Sequence, residues 1–131
     1  MAPKALLAAV VFATVLLHIA TAERGTTIYV NNKLSRKITV IAHCKSKDDD
    51  LHAHAIEAGT TYTWSFDQNW FGGTFFWCNL AVEDKRLSFT AFEQDDHSTY
   101  MDSYDVLDRG VYAVDRDSGE WLHLARWNVT R

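Results

Sequence analysis

The sequence predicts an all-β protein, a small antiparallel β-sandwich of about seven or eight strands held by one disulfide. Short segments alternate between apolar and polar residues and are separated by turn residues, which is typical of strands. No segment keeps the period of an amphipathic helix over about three helical turns. Aromatic residues make up 13% of the 131 residues, enough to fill the core of such a sandwich.

The clearest strand covers residues 61–66, where Tyr62, Trp64 and Phe66 alternate with hydroxyl residues. Further strands are predicted at residues 27–30, 38–44, 74–82, 86–92, 110–114 and 120–127. Their predicted inward residues are Ile38, Val40, Ala42, Cys44, Phe76, Cys78, Leu80, Val82, Leu87, Phe89, Ala91, Leu122 and Leu124. The segment 52–58 fits either a short strand, which we favour, or two helical turns. Turns are predicted at Ala58-Gly59, 67–73 and 115–119.

The N-terminus predicts a signal peptide over residues 1–22, followed by one domain over residues 23–131. One positive charge, Lys4, precedes an apolar run that ends in the small-residue pattern Ala20-Thr21-Ala22. Lys4 is the only charged residue of this segment, so its removal changes the net charge from −4 to −5. The sequence therefore predicts a secreted, extracellular protein whose charge argues against binding nucleic acid or an anionic membrane.

Cys44 and Cys78 are the only cysteines, and each shares a predicted strand face with core residues. An oxidising compartment favours a disulfide between them, while free thiols or pairing with another chain remain alternatives. Asn128 begins an Asn-Val-Thr acceptor, which predicts a glycoprotein.

Several motifs then follow in a fixed order. Residues 43–51 read His-Cys-Lys-Ser-Lys-Asp-Asp-Asp-Leu, residues 62–66 read Tyr-Thr-Trp-Ser-Phe, and residues 74–78 read Thr-Phe-Phe-Trp-Cys. With Gly110-Val-Tyr112 ahead of a last hairpin, this order resembles the plant self-incompatibility S-protein homologue family over nearly all of residues 23–131. The residues that carry the resemblance are Cys44, Lys45, Ser46, Lys47, Asp48, Asp49, Asp50, Trp64, Ser65, Phe66, Asn69, Phe71, Gly72, Trp77 and Cys78.

The resemblance implies a disulfide-linked β-sandwich without catalytic activity, whose founding members are secreted pistil proteins recognised by incompatible pollen. It therefore implies cell–cell recognition or a broader extracellular signal in development or defence. Many relatives carry a second cysteine pair, but the corresponding residues 100–104 read Tyr-Met-Asp-Ser-Tyr, so a second bridge is excluded here.

The sequence also offers candidate metal ligands and catalytic carboxylates, and each has a simpler interpretation. The triplet 48–50 lacks the ligand spacing of a calcium site, and His52 and His54, with Glu57 or His43, form at most part of a zinc shell. Glu57, Asp67 and Glu83 offer glycosidase-like carboxylates, but no nucleophile or metalloprotease motif is present. We therefore predict no enzyme activity, no metal and no cofactor.

Loops are predicted to carry partner specificity, because they tolerate variation while strands must pack. The candidate loops are residues 67–73, 93–104 and 115–119, with candidate contacts at Asp67, Gln68, Trp70, Asp95, Asp96, His97, Asp115, Arg116 and Asp117. The predicted partner of the monomeric chain is an extracellular or membrane-displayed protein receptor. The alternative is a carbohydrate or cell-wall binding module that uses Trp70, Trp121 or Trp127, because Trp64 and Trp77 are predicted to be buried.

Overall fold

The structure, a computed structural model, describes residues 25–94, 101–115 and 117–129, and these contain ten strands and no helix. The predicted signal peptide lies outside the described residues. The strands are β1 (Gly25–Asn32), β2 (Val40–Ser46), β3 (Asp50–Ile56), β4 (Thr61–Asp67), β5 (Phe75–Val82), β6 (Lys85–Glu93), β7 (Ser103–Leu107), β8 (Gly110–Val114), β9 (Trp121–Arg126) and β10 (Asn128–Val129).

The strands form two five-stranded sheets, in the orders β4-β1-β7-β8-β9 and β10-β6-β5-β2-β3. Neighbouring strands are antiparallel except β1 and β7, which run parallel. The predicted all-β sandwich is confirmed. The sequence missed β7 and β10, and the predicted loop 93–104 is shorter than expected because Ser103 and Tyr104 belong to β7.

Alternating inner faces build the core between the sheets. Val40, Ala42 and Cys44 of β2 are buried, as are the predicted inward residues of β5 and β6. Cys44 lies directly opposite Cys78 in the β2–β5 ladder, with 4.0 Å between the Cα atoms, and the two form a disulfide in which both residues are fully buried. The prediction of one buried bridge between two strands is confirmed.

The ambiguous segment after residue 50 is a strand, β3, as favoured. Its ladder with β2 is irregular between His43 and Lys45, and His52 has a φ of 64°. An extra residue at this irregularity breaks the alternation of side chains, which is the behaviour of a β-bulge.

The prediction that Leu122 and Leu124 point into the core is wrong, because their exposed fractions are 54% and 39%. Leu122 pairs with buried Ala113, but β9 is the last strand of its sheet, and the core does not extend over it. Leu124 lies where the β8–β9 register shifts. Trp127, predicted to be exposed, instead packs partly buried against the core and donates its Nε1 hydrogen to the Leu107 carbonyl at 3.0 Å.

The two tryptophans predicted to be buried differ from each other. Trp64 is 8% exposed and belongs to the core. Trp77 is only half-buried, because its neighbours Phe76 and Cys78 take the inner face and leave its ring on the outer face beside Phe75.

A buried carboxylate explains why β7 escaped detection. Asp105 is 2% exposed. It accepts hydrogen bonds from Asn31 Nδ2 at 2.9 Å and Trp121 Nε1 at 3.0 Å, and Lys33 Nζ lies 3.2 Å away. These partners compensate the charge on the outer face of the sheet. The described part of the chain contains no helix that meets the length and hydropathy of a membrane span.

Candidate recognition surface

Strand directions bring the predicted loops to one end of the sandwich. The connections that follow β2, β4, β6 and β8 all leave from this end. Each of these strands finishes beside the first residues of a neighbouring antiparallel strand, and the pairs that show this are Ser46 with Phe76, Asp67 with Gly25, Glu93 with Phe75, and Val114 with Trp121. We call this the loop end. The connections after β1, β3, β5, β7 and β9 lie at the opposite end.

The family-motif hairpin between β2 and β3 is held by Asp50. Its Oδ1 lies 2.6 Å from His43 Nε2 and accepts the His52 amide at 2.8 Å. The hydrogen bond from His43 and then that from the His52 amide hold the pKa of the Asp50 carboxyl below its ordinary value of 3.8. A second pair of bonds joins Ser46 and Asp49 through their amides, at 2.8 and 3.0 Å. Asp50 therefore helps to hold the shape of the hairpin.

The loop after β4 is pinned from within and from β6. The Asn69 amide donates to Thr74 Oγ1 at 2.7 Å. Gln94 accepts the Thr74 amide at 3.0 Å and donates to the Asn69 carbonyl at 2.9 Å. The six residues from Asn69 to Thr74 are thereby closed by three bonds, which reduces the conformational freedom that binding would otherwise have to remove.

Two large aromatic side chains stand at the tip of this loop. Trp70 is 83% exposed and Phe71 is 93% exposed. Asn69 supports the turn beneath them, since its Oδ1 accepts the Phe71 amide at 3.2 Å and its carbonyl accepts the Gly72 amide at 3.0 Å. Gly72 has a φ of 87°, a conformation that favours glycine. The exposed position predicted for Trp70 is confirmed.

An open groove of about 470 Å³ separates this loop from the family-motif hairpin. Aromatic side chains and carboxylates line it together. The lining residues are Ser46, Lys47, Asp48, Asp49, Phe66, Asp67, Asn69, Gly72, Gly73, Thr74, Phe75, Phe76 and Trp77. The two motif blocks that are separate in the sequence thus form opposite walls of one site.

The remaining motif residues support these walls. Phe66 contacts Phe76 and Phe92, with ring centroids 4.5 and 5.0 Å apart. Ser65 hydrogen-bonds Thr27 across the outer face at 2.7 Å, and Lys45 Nζ lies 6.0 Å from the centre of the Trp77 ring. These residues therefore hold the strands around the groove in place.

The other candidate contacts are only partly described. Asp115 anchors the β8–β9 turn, because its Oδ1 accepts the Asp117 amide at 2.9 Å and its carbonyl accepts the Gly119 amide at 2.7 Å. Asp117 and Gln68 are exposed, and Gln68 donates to Thr26 Oγ1 at 3.1 Å. Asp95, Asp96, His97 and Arg116 lie outside the described residues.

The described histidines do not form a metal shell. His54 stacks on Tyr62, with ring centroids 4.6 Å apart, and its Nε2 lies 2.7 Å from the Leu51 carbonyl oxygen. His52 takes the irregular backbone position noted above. Within residues 25–94, 101–115 and 117–129, no group of three or more metal-ligating side chains comes together.

Of the carboxylates considered for hydrolysis, Asp67 lies apart from the other two. Asp67 ends β4 at the loop end, whereas Glu57 and Glu83 follow β3 and β5 at the opposite end. Asp67 is therefore separated from the other two by the length of the sandwich.

A second exposed aromatic group lies on the outer face of the β1-containing sheet. Trp121 is 56% exposed, and Tyr112 lies 6.0 Å from it and 4.6 Å from His123 between ring centroids. Asn128, the predicted glycosylation site, is exposed in β10 at the sandwich edge.

Sequence reasoning missed two parts of the site. Gln94 carried no signal, because its role depends on the β5–β6 ladder that brings it beside Thr74. The groove itself was also missed, although the alternation around Cys78 could have placed Trp77 on the outer face.

The fold and this site define a class of protein: a disulfide-linked β-sandwich that presents a pinned aromatic loop and an acidic groove at one end. The model of the plant self-incompatibility protein S1 family matches residues 27–127. The chain belongs to this family, which is a recognition family of secreted proteins rather than a family of enzymes.

Individual relatives agree with this assignment. S-protein homolog 21 of Arabidopsis thaliana is 33% identical over 103 residues, which cover 76% of this chain and 68% of the relative. Self-incompatibility protein S1 of Papaver rhoeas is 24% identical over 106 residues, 76% of each chain. S-protein homolog 2 of Arabidopsis thaliana is 32% identical over 91 residues, which cover 70% of this chain but only 56% of the relative. The match thus spans little more than half the length of that relative.

Proposed function

We propose that the chain is a secreted recognition protein whose loop end binds an extracellular or membrane-displayed protein, without catalysis. The family assignment supports a recognition role. The observation that carries the proposal is the loop 67–74, which presents Trp70 and Phe71 almost fully exposed on a backbone pinned by Asn69 and Gln94.

Such a loop has the physical properties of an interface anchor. Tryptophan dominates binding hot spots because it removes a large area from water with few rotatable bonds. A loop that is already ordered loses little further entropy on binding. In the free molecule, by contrast, two adjacent aromatic side chains exposed to water do not contribute to the stability of the core. Exposed apolar groups of this kind mark interaction sites.

The test is binding of labelled residues 23–131 to protoplasts of the species that encodes the chain. We expect Trp70→Ala with Phe71→Ala to weaken binding at least tenfold, corresponding to about 1.4 kcal/mol or more. Trp121→Ala is the matched control, because it removes an exposed tryptophan from a different face. Unchanged binding of the double variant, or an equal loss with Trp121→Ala, would contradict the proposal.

A second candidate function, carbohydrate binding, is favoured by one observation. The Trp121 ring is held by its hydrogen bond to buried Asp105 and lies beside Tyr112, which together make an oriented aromatic face suited to stacking on sugar. A glycan array distinguishes the two: reproducible sugar binding that Trp121→Ala removes would support this alternative, and an array without signal would reject it.

A further inference from the structure

We propose that the groove between the family-motif hairpin and the Trp70 loop takes an extended segment of the partner protein that carries lysine or arginine side chains. This inference rests on the proposed function and names the chemical class of the partner surface.

The charges of the groove are the first argument. Asp48 and Asp49 line one wall and Asp67 the other, all three exposed. None of these side chains has an ion-pair or hydrogen-bond partner among the described residues. Lys47 also lines the groove, so the three carboxylates, which are unpaired among the described residues, leave a net charge of about −2 around one concave site, and this produces a negative potential.

The groove is also lined by aromatic side chains, which distinguishes it from an ordinary charged surface. Phe75 and Trp77, whose ring centroids are 5.6 Å apart, line it from the outer face of β5, and the buried Phe76 lines it as well. Long cationic side chains suit such a lining, because their methylene groups pack on aromatic rings while the charged head reaches a carboxylate. The volume of about 470 Å³ is in the range of sites that enclose side chains of a ligand.

The distribution of charge over the molecule gives the second argument. Carboxylates dominate the described residues of the loop end: Asp48, Asp49, Asp50, Asp67, Glu93, Asp102, Asp115, Asp117 and Glu120, against Lys45 and Lys47. Cations dominate the opposite end: Lys33, Arg36, Lys37, Lys85, Arg86, Arg109 and Arg126, against Glu57, Glu83, Asp84 and Asp108. This polarity would turn the loop end toward a positively charged surface during approach.

A partner protein fits this surface better than a second copy of the chain. The cations of a second copy lie at the end opposite the groove, so the two copies would meet head to tail. Such a contact is not self-complementary, and unless the rotation between copies closes a ring it propagates into open chains of molecules. We therefore assign the groove to a basic segment of a different protein.

The experiment uses two variants of residues 23–131 that remove the same charge. Asp49→Asn with Asp67→Asn neutralises one carboxylate on each wall, and Glu57→Gln with Glu83→Gln does so at the opposite end. The probe is a hexapeptide of alternating leucine and arginine, with a hexapeptide of alternating leucine and glutamate as control. Amide chemical shifts of the labelled protein report where each peptide binds.

We expect the arginine peptide to shift residues 47–49 and 75–77, the glutamate peptide to leave them unchanged, and the groove variant to bind the arginine peptide at least fivefold more weakly. The opposite-end variant should bind like the wild type. Equal shifts with both peptides, shifts scattered over the surface, or an equal loss in the opposite-end variant would overturn the inference.

Protoplast binding separates this inference from the proposed function. If the Trp70 and Phe71 double variant loses binding while the groove variant retains it, the loop end is the interface, but the inference that the groove binds a cationic segment is wrong. If both variants bind like the wild type, the proposed function fails as well. Concentration-dependent association in sedimentation that the groove variant abolishes would identify a second copy as the occupant and overturn the assignment to another protein.

Discussion

The Cys44–Cys78 bridge should supply a large part of the stability of the sandwich. The bridge closes a separation of 34 residues between two adjacent strands. On the chain-entropy model, a loop of this length restricts the unfolded chain by about 4 kcal/mol at 25 °C. For a domain of this size, losing about 4 kcal/mol of stability with the bridge should lower the melting temperature by roughly 15 °C or more.

The assay is thermal unfolding of residues 23–131, followed by circular dichroism, for the wild type and for Cys44→Ala with Cys78→Ala. Dithiothreitol is the matched control, because it should lower the melting temperature of the wild type by a similar amount and leave the double variant unchanged. A double variant that melts within about 5 °C of the wild type would refute the reasoning that the loop length sets the stabilisation.

Three further predictions concern single residues. Asp105→Ala should cost about 1–3 kcal/mol in urea unfolding, because it removes the hydrogen bonds that Asn31 and Trp121 donate to a buried carboxylate, and should red-shift Trp121 fluorescence; an unchanged midpoint would contradict this. Gly110→Ala should destabilise by about 2 kcal/mol or more, because φ is 141° and a Cβ would lie 1.9 Å from the Ala125 carbonyl oxygen, whereas Gly119→Ala, with open space around it, should cost less in the same measurement. The Asp50 carboxyl should titrate by carbon NMR below 3.8, so its stabilising bonds are present above that pH and are lost as the pH falls through the lowered pKa; a midpoint at or above 3.8 would reject the hydrogen-bond network of the hairpin.

Strands that alternate cleanly were predictable, because one face of each packs on the core. Residues 61–66 and the cysteine-bearing strands follow this rule, and β4, β2 and β5 match them within one or two residues. The strand β7 was hidden because its central residue is a carboxylate, whose burial depends on partners from β1 and β9. The local pattern of apolar and polar residues does not show that distant side chains will bind a buried carboxylate.

The positions of Leu122 and Leu124 show a different limit. Their alternation correctly indicates a strand, but whether the inner face of a strand is covered depends on its place in the sheet. Because β9 is an edge strand with an irregular register, both side chains are exposed.

The loops were predicted from turn residues, whereas their convergence follows from topology. Three connections from different parts of the sequence leave from the same end because of the order and direction of their strands: those after β4 and β6 cross between the sheets, and the one after β8 joins neighbouring strands of one sheet. The exposed Trp70 was predictable from its position in a loop, but the pinning of that loop by Gln94 was not.

The most direct test of the account is hydroxyl-radical footprinting of residues 23–131, free and bound to protoplasts, read by mass spectrometry. Trp70 and Phe71 should react strongly in the free protein and become protected when it is bound, while Trp121 keeps its reactivity. Protection of Trp121 together with unchanged Trp70 and Phe71 would show that a different face makes the contact and would contradict the account.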